Sequence, residues 1–124
     1  EPMVNSKDFR LVKRVKGKDG EWWSGTAPGD TMNGTEIHGW VRKGFSLVLN
    51  HMDFRHAGIA RLAGQIEEEL GIFTQVNLYL TPPRSQGFEA HWDPMETVVL
   101  QIEGRKRWLV YDPLITLPRA EQRY

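Results

Sequence analysis

The chain has 124 residues, with sixteen Lys and Arg balanced by sixteen Asp and Glu and no cysteine. That length suits one domain with a modest core, and zero net charge gives no long-range attraction to nucleic acid or anionic membrane. Without cysteine there are no disulfides or thiolate ligands, which fits a reducing, cytoplasmic location, and the apolar runs fall far short of the ~20 residues that span a bilayer.

Glu1-Pro2-Met3 does not read as a secretory leader. Residues 1–20 are polar, and Phe9, Leu11 and Val15 alternate with Arg10 and Val12 to predict a short strand broken by Gly17 and Gly20. From Trp22-Trp23 to residue 36, Gly25, Pro28, Gly29 and Gly34 predict turns. Residues 44–50 read as a buried strand, with Phe45, Leu47 and Leu49 on one face and Ser46, Val48 and Asn50 on the other. His51 to Phe54 then turns into the one clear helix, His56 to Leu70, whose Ile59, Leu62, Ala63, Ile66 and Leu70 form an apolar stripe. Gly71 is its expected C-terminal cap, and Glu67, Glu68 and Glu69 read as a solvated face rather than a cation site. His51 and His56 read as turn or capping residues.

Phe73 to Thr81 predicts a strand with Val76, Leu78 and Leu80 facing one way and Gln75, Asn77, Tyr79 and Thr81 the other. Pro82-Pro83 stops it, and Gly87 frees the backbone within the loop that follows. Met95 to Ile102 and Lys106 to Tyr111 predict a hairpin around Glu103-Gly104-Arg105. Asp112-Pro113 and the Leu114–Pro118 stretch begin a connection leading outside the chain. Short strands and hairpins beside one helix predict an all-β fold with a flanking helix, an antiparallel barrel or sandwich rather than a doubly wound sheet.

His91 and Asp93 stand between the two strand-like ribbons, two residues apart. Side chains at that spacing point the same way from an extended chain. Imidazole and carboxylate are two of the three donors in the facial triad of non-haem iron(II) oxygenases, although an H-x-D triplet alone is weak evidence. Lys106 shares the parity of Trp108 and Val110, which puts an ammonium on an otherwise apolar face where an anion would offset its desolvation.

The segment NLYLTPPRSQGFEAHWDPMETVVLQIEGRKRW resembles the metal-binding core of the JmjC-type, cupin-fold 2-oxoglutarate oxygenases. It is most similar to the ribosomal-oxygenase branch, which hydroxylates histidyl or arginyl residues, and more distantly to the asparaginyl hydroxylase of hypoxia-inducible factor. The order N-x-Y-x-T-P, S-Q-G, H-x-D and Q-x-E-G-x-K-x-W carries the likeness, strongest over 75–111 and fainter over 44–71. The resemblance implies a double-stranded β-helix (a cupin, or jelly roll), incomplete in this fragment. Residues 44–124 would be the first part of the JmjC domain, with residues 1–43 packed on the barrel and the 56–70 helix against its outside.

The resemblance further implies Fe(II) and 2-oxoglutarate as cofactors, His91 and Asp93 as iron ligands, and Lys106 as partner of the distal carboxylate. Asn77, Tyr79 and Thr97 would contact the cosubstrate, and Arg84 and Gln86 would stand near the substrate. The implied activity is hydroxylation of a protein or peptide side chain, with a ribosomal protein as the family-weighted substrate. The family's third ligand, a later histidine, is absent from the 33 residues after His91, so it is expected beyond Tyr124. If that ligand has been lost, the alternative is a non-catalytic cupin-like binding or scaffold module. Direct nucleic-acid binding through Arg84, Arg105, Arg107 and exposed tryptophans is a minor reading, and a homodimer of the full-length protein is compatible with the family.

Overall fold

A computed structural model describes residues 3–5, 8–17, 22–27, 29, 31–113 and 115. The chain forms two compact units, Glu1–Glu89 and Ala90–Tyr124.

In the first unit, β2 (Phe9–Lys16) is one of the two interior strands of a four-stranded antiparallel sheet. It lies between β3 (Trp22–Thr26) and β5 (Ser46–Leu49), and β6 (Leu78–Leu80) completes the order β3-β2-β5-β6. β1 (Met3–Asn5) and β4 (Thr31–Asn33) form a separate two-stranded ladder.

Registers assign the faces. Phe9 pairs with Leu49 and Leu11 with Leu47, while Leu47 and Leu49 pair with Leu80 and Leu78. Because side chains alternate, Phe9, Leu11, Leu47 and Leu49 share one face, as the pattern of 44–50 predicts. Phe9, Leu11 and Met32 form the buried centre of this face, with Ile37, Trp40, Val41, Phe45, Leu47 and Leu49 packed around them. Burial of each such side chain contributes about 1.5–3 kcal/mol. The opposite face carries Arg10, Val12, Ser46, Val48, Tyr79 and Thr81. Its centre is closed too: Val12 and Ser46 are each 2% exposed and Val48 is fully buried.

Two helices are formed where one is expected, and the first of them is the one that packs against the sheet, on β2 and β5. α1 (Gly34–Arg42) falls in and beyond the stretch read as turns. Asn33 starts it with a reciprocal capping box: its Oδ1 accepts the Glu36 N–H at 2.9 Å, and Glu36 Oε2 accepts the Asn33 N–H at 2.9 Å. Ile37, Trp40 and Val41 then recur at helical spacing towards the core. The Trp22-Trp23 pair opens a strand rather than a turn, paired through its backbone with Lys16 and Val15.

α2 (Ala57–Leu70) follows a 3-10 turn at Met52–Phe54 and stops at Gly71, whose left-handed φ of 65° makes it the expected cap. Its packing differs from expectation. Ala63 is the helix's one buried residue among those described, and Leu70 remains 62% exposed. Among the described residues, the element that α2 meets most is the 3-10 turn just before it. Glu67 is also more than a solvated carboxylate: its Oε1 accepts the Thr74 N–H at 2.8 Å and the Thr74 hydroxyl at 3.1 Å. His51 occupies the turn with a left-handed φ of 54°, and His56 is the N-cap residue of α2 with no side-chain capping bond. The strand expected over 73–81 is limited to β6.

In the second unit, the expected hairpin has its turn but no ladder. Gly104 adopts φ 73°, yet no strand is formed at 95–102 or 106–111. Val98, Ile102 and Val110 are exposed. A two-stranded ribbon is marginal in water without a core beneath one face, and here both faces stay wet. The Leu114–Pro118 connection lies, except for Ile115, outside the described residues.

Candidate metal centre

His91, Trp92 and Asp93 lie near the start of the second unit, in irregular backbone. His91 and Asp93 are exposed and Trp92 is half-buried. Imidazole nitrogen and carboxylate oxygen suit iron(II), and in donor chemistry the pair fits that ion. Among the described residues no group of three or more His, Cys, Asp or Glu converges on one point, so the third donor is not found there.

Lys106 is exposed, and its Nζ lies 4.7 Å from the centroid of the Trp108 ring. The predicted shared parity thus appears as a cation–π contact, which holds the ammonium above an indole instead of burying it in a closed barrel. Thr97 is exposed in the same unit.

The first unit carries the remaining candidates. Asn77 Oδ1 accepts the His51 N–H at 3.2 Å and Gln75 Nε2 at 3.1 Å. Its carbonyl oxygen therefore braces the turn before α2, a structural task that the spacing did not announce. Tyr79 is half-exposed, with its ring 6.4 Å from that of Phe88 in an edge arrangement. Arg84 is exposed with a left-handed φ of 56°, a conformation that marks a tight turn after Pro82-Pro83.

Gln86 uses both polar atoms of its side-chain amide. Oε1 accepts from Arg14 Nη1 at 3.1 Å, and Nε2 donates to the Phe88 carbonyl at 2.8 Å. Sequence reasoning missed Arg14, Ser46 and Asp53 as groups that organise this region. The packing of Gly87 shows what the S-Q-G signal means: a glycine is needed where backbone crosses a buried serine.

The first unit is an antiparallel sheet with helices in its connections, and the second carries an imidazole and a carboxylate two residues apart. The family model described as "JmjC domain" matches residues 48–123, more than half of the chain, and the chain belongs to that family. It is similar to the bifunctional lysine-specific demethylase and histidyl-hydroxylase NO66 of Drosophila sechellia, with 40% identity over 77 residues, covering 62% of this chain and 12% of that protein. The Drosophila persimilis protein of the same name is 46% identical over 61 residues, 49% of this chain and 9% of the relative. The Drosophila melanogaster one is 68% identical over 37 residues, 30% of this chain and 6% of the relative. The chain thus spans about a tenth of the length of these relatives. No solved structure matches it.

Proposed function

We propose that the protein is an Fe(II)- and 2-oxoglutarate-dependent hydroxylase acting on a protein side chain. The observation that carries this reading is the placement of His91, Asp93 and Lys106 inside the segment matched as a JmjC domain. The relatives' shared name adds the finer reading, a histidyl side chain as the hydroxylated group and lysine demethylation as a second activity. A ribosomal protein remains the substrate expected from the motif resemblance.

In this reading residues 44–124 are the first part of the catalytic domain, with 1–43 supplying strands and a helix at its edge. His91 Nε2 or Nδ1 and an Asp93 carboxylate oxygen hold the iron together with a donor from outside the described residues. Lys106 pairs with the distal carboxylate of 2-oxoglutarate, while Asn77, Tyr79 and Thr97 offer it hydrogen bonds. Asn77 has its carbonyl oxygen occupied, so its amide N–H groups are the part left to serve. Arg84 and Gln86 stand on the loop nearest the substrate. When bound, the iron couples oxidative decarboxylation of 2-oxoglutarate to hydroxylation of a C–H bond, chemistry no side chain supplies alone.

No described helix is long and apolar enough to cross a membrane. A cytoplasmic location and a homodimeric full-length protein belong to the proposal through the family resemblance.

The test is turnover by the full-length protein. Iron-dependent formation of succinate, with one oxygen atom added to a histidine-containing ribosomal protein, is expected. Absence of both, from protein that binds neither iron nor 2-oxoglutarate, favours the second reading, a cupin-like scaffold. The observation behind that rival is the two-donor set among the described residues.

A further inference from the structure

We infer that Gln75 and an inserted residue at His51 fix which half of the Asn77 amide is offered to 2-oxoglutarate, which makes Gln75 a positioning residue for the cosubstrate. The inference rests on the cosubstrate role proposed for Asn77 above. Every contact it uses lies within the first unit.

β5 and β6 pair in a fixed register, Leu47 with Leu80, Val48 with Tyr79 and Leu49 with Leu78. Continued beyond the strands, that register would set His51 opposite Val76. Instead the Met52 N–H reaches the Val76 carbonyl at 2.7 Å, so one side carries a residue more than the other. His51 takes up the excess with its left-handed φ of 54°. An insertion of this kind leaves one residue out of the ladder and re-aims what it carries. The displaced His51 N–H is satisfied by a side chain instead, the Oδ1 of Asn77 at 3.2 Å.

A backbone N–H can only donate, so the amide atom facing it is the oxygen. Gln75 Nε2 donates to the same oxygen at 3.1 Å, which engages both of its lone pairs. Turning the Asn77 amide over would set its NH2 group against these two donors. The NH2 group itself makes no hydrogen bond among the described residues, although Asn77 is half-buried. Two N–H donors held in place suit a carboxylate or keto oxygen, whereas an amide oxygen there would repel it. Gln75 is exposed, and its side chain bonds only Asn77 among the described residues. It touches no cosubstrate in this account and acts through Asn77.

The test is the dissociation constant of 2-oxoglutarate from the full-length protein, measured by calorimetry in the presence of Mn(II), with thermal melting alongside. Gln75→Leu removes one donor at similar volume. It is expected to weaken 2-oxoglutarate binding about three- to tenfold, the value of one neutral hydrogen bond, with the melting temperature unchanged. In an Asn77→Asp background there is no amide to orient, and Gln75→Leu should then change the constant by less than about twofold. A side chain of merely structural or electrostatic effect would give the same loss in both backgrounds. Equal constants for wild type and Gln75→Leu, or equal losses in both backgrounds, overturn the inference. The Asn77→Asp variant alone separates it from the reading beneath. If that variant binds 2-oxoglutarate as wild type does, the cosubstrate role of Asn77 fails and the inference falls with it. If it binds weakly while Gln75→Leu binds normally, only the positioning role is lost. Wild-type protein that binds no 2-oxoglutarate overturns the proposed function itself.

Discussion

The carboxylate of Asp53 accepts the backbone N–H of Val76 at 2.9 Å, joining the 3-10 turn before α2 to the segment that enters β6. The Met52 N–H donates to the Val76 carbonyl at 2.7 Å, so the two contacts close α2 into a stapled excursion. Asp53→Ala leaves a half-buried amide without its charged acceptor and is expected to cost about 1.5–3 kcal/mol. Asp53→Asn keeps an acceptor and should cost about half as much or less. Denaturant unfolding of the full-length protein, read at constant m-value, checks the order of the two.

Asn77 braces the turn before α2, and in the proposed function it also donates to 2-oxoglutarate; two substitutions divide these roles. Asn77→Asp keeps the oxygen that accepts from His51 but removes the amide donors. Its melting temperature should stay within a few degrees of wild type while the KM for 2-oxoglutarate rises about tenfold, the value of one charge-assisted hydrogen bond. Asn77→Ala should lower both stability and cosubstrate affinity. Equal KM values for wild type and Asn77→Asp would confine Asn77 to its bracing role.

Lys106→Met removes the ammonium and keeps an unbranched apolar stem. The expected outcome is a rise in the KM for 2-oxoglutarate of about 10- to 100-fold, the value of a charge-assisted bond to a carboxylate, with iron affinity unaltered. Lys106→Arg should recover part of the loss. A steady-state titration with 2-oxoglutarate, paired with an iron-binding isotherm, separates this pattern from a general defect.

Asn33→Ala removes the side-chain half of the α1 capping box and is expected to destabilise the protein by about 1 kcal/mol. Asn33→Ser or Asn33→Asp should cost little, since either oxygen can serve the Glu36 N–H. Thermal melts of the three variants give the ranking.

The same Asn33 shows a helix signal outweighed by its surroundings. N-G-T-E just ahead of Ile37, Trp40 and Val41 is a start signal for a helix, but the glycines around it favoured a loop. The strand at 46–49 was readable because one hydrophobic alternation satisfies both its neighbours; Leu47 and Leu49 fall opposite Leu11 and Phe9 as period two demands. β3 was hidden, because W-W-S-G-T has no alternation and its place is set by its ladder with β2. Residues 95–111 failed in the opposite sense. Alternation there is clear, but it states only which side chains share a face, not whether a partner strand and a core will cover them. Lys106 follows from this: its parity with Trp108 was legible, its exposure was not. The roles of Arg14 and Ser46 were unreadable, since each depends on where the loop at 86–88 crosses the sheet.

The most direct measurement is the iron(II) stoichiometry of the anaerobic full-length protein, wild type beside His91→Ala and Asp93→Ala. Wild-type protein is expected to hold one iron per chain, and each variant to lose it at the same free-metal concentration. Wild-type protein that takes up no iron, or variants that retain it fully, would contradict the assignment of these two side chains as the metal-binding pair.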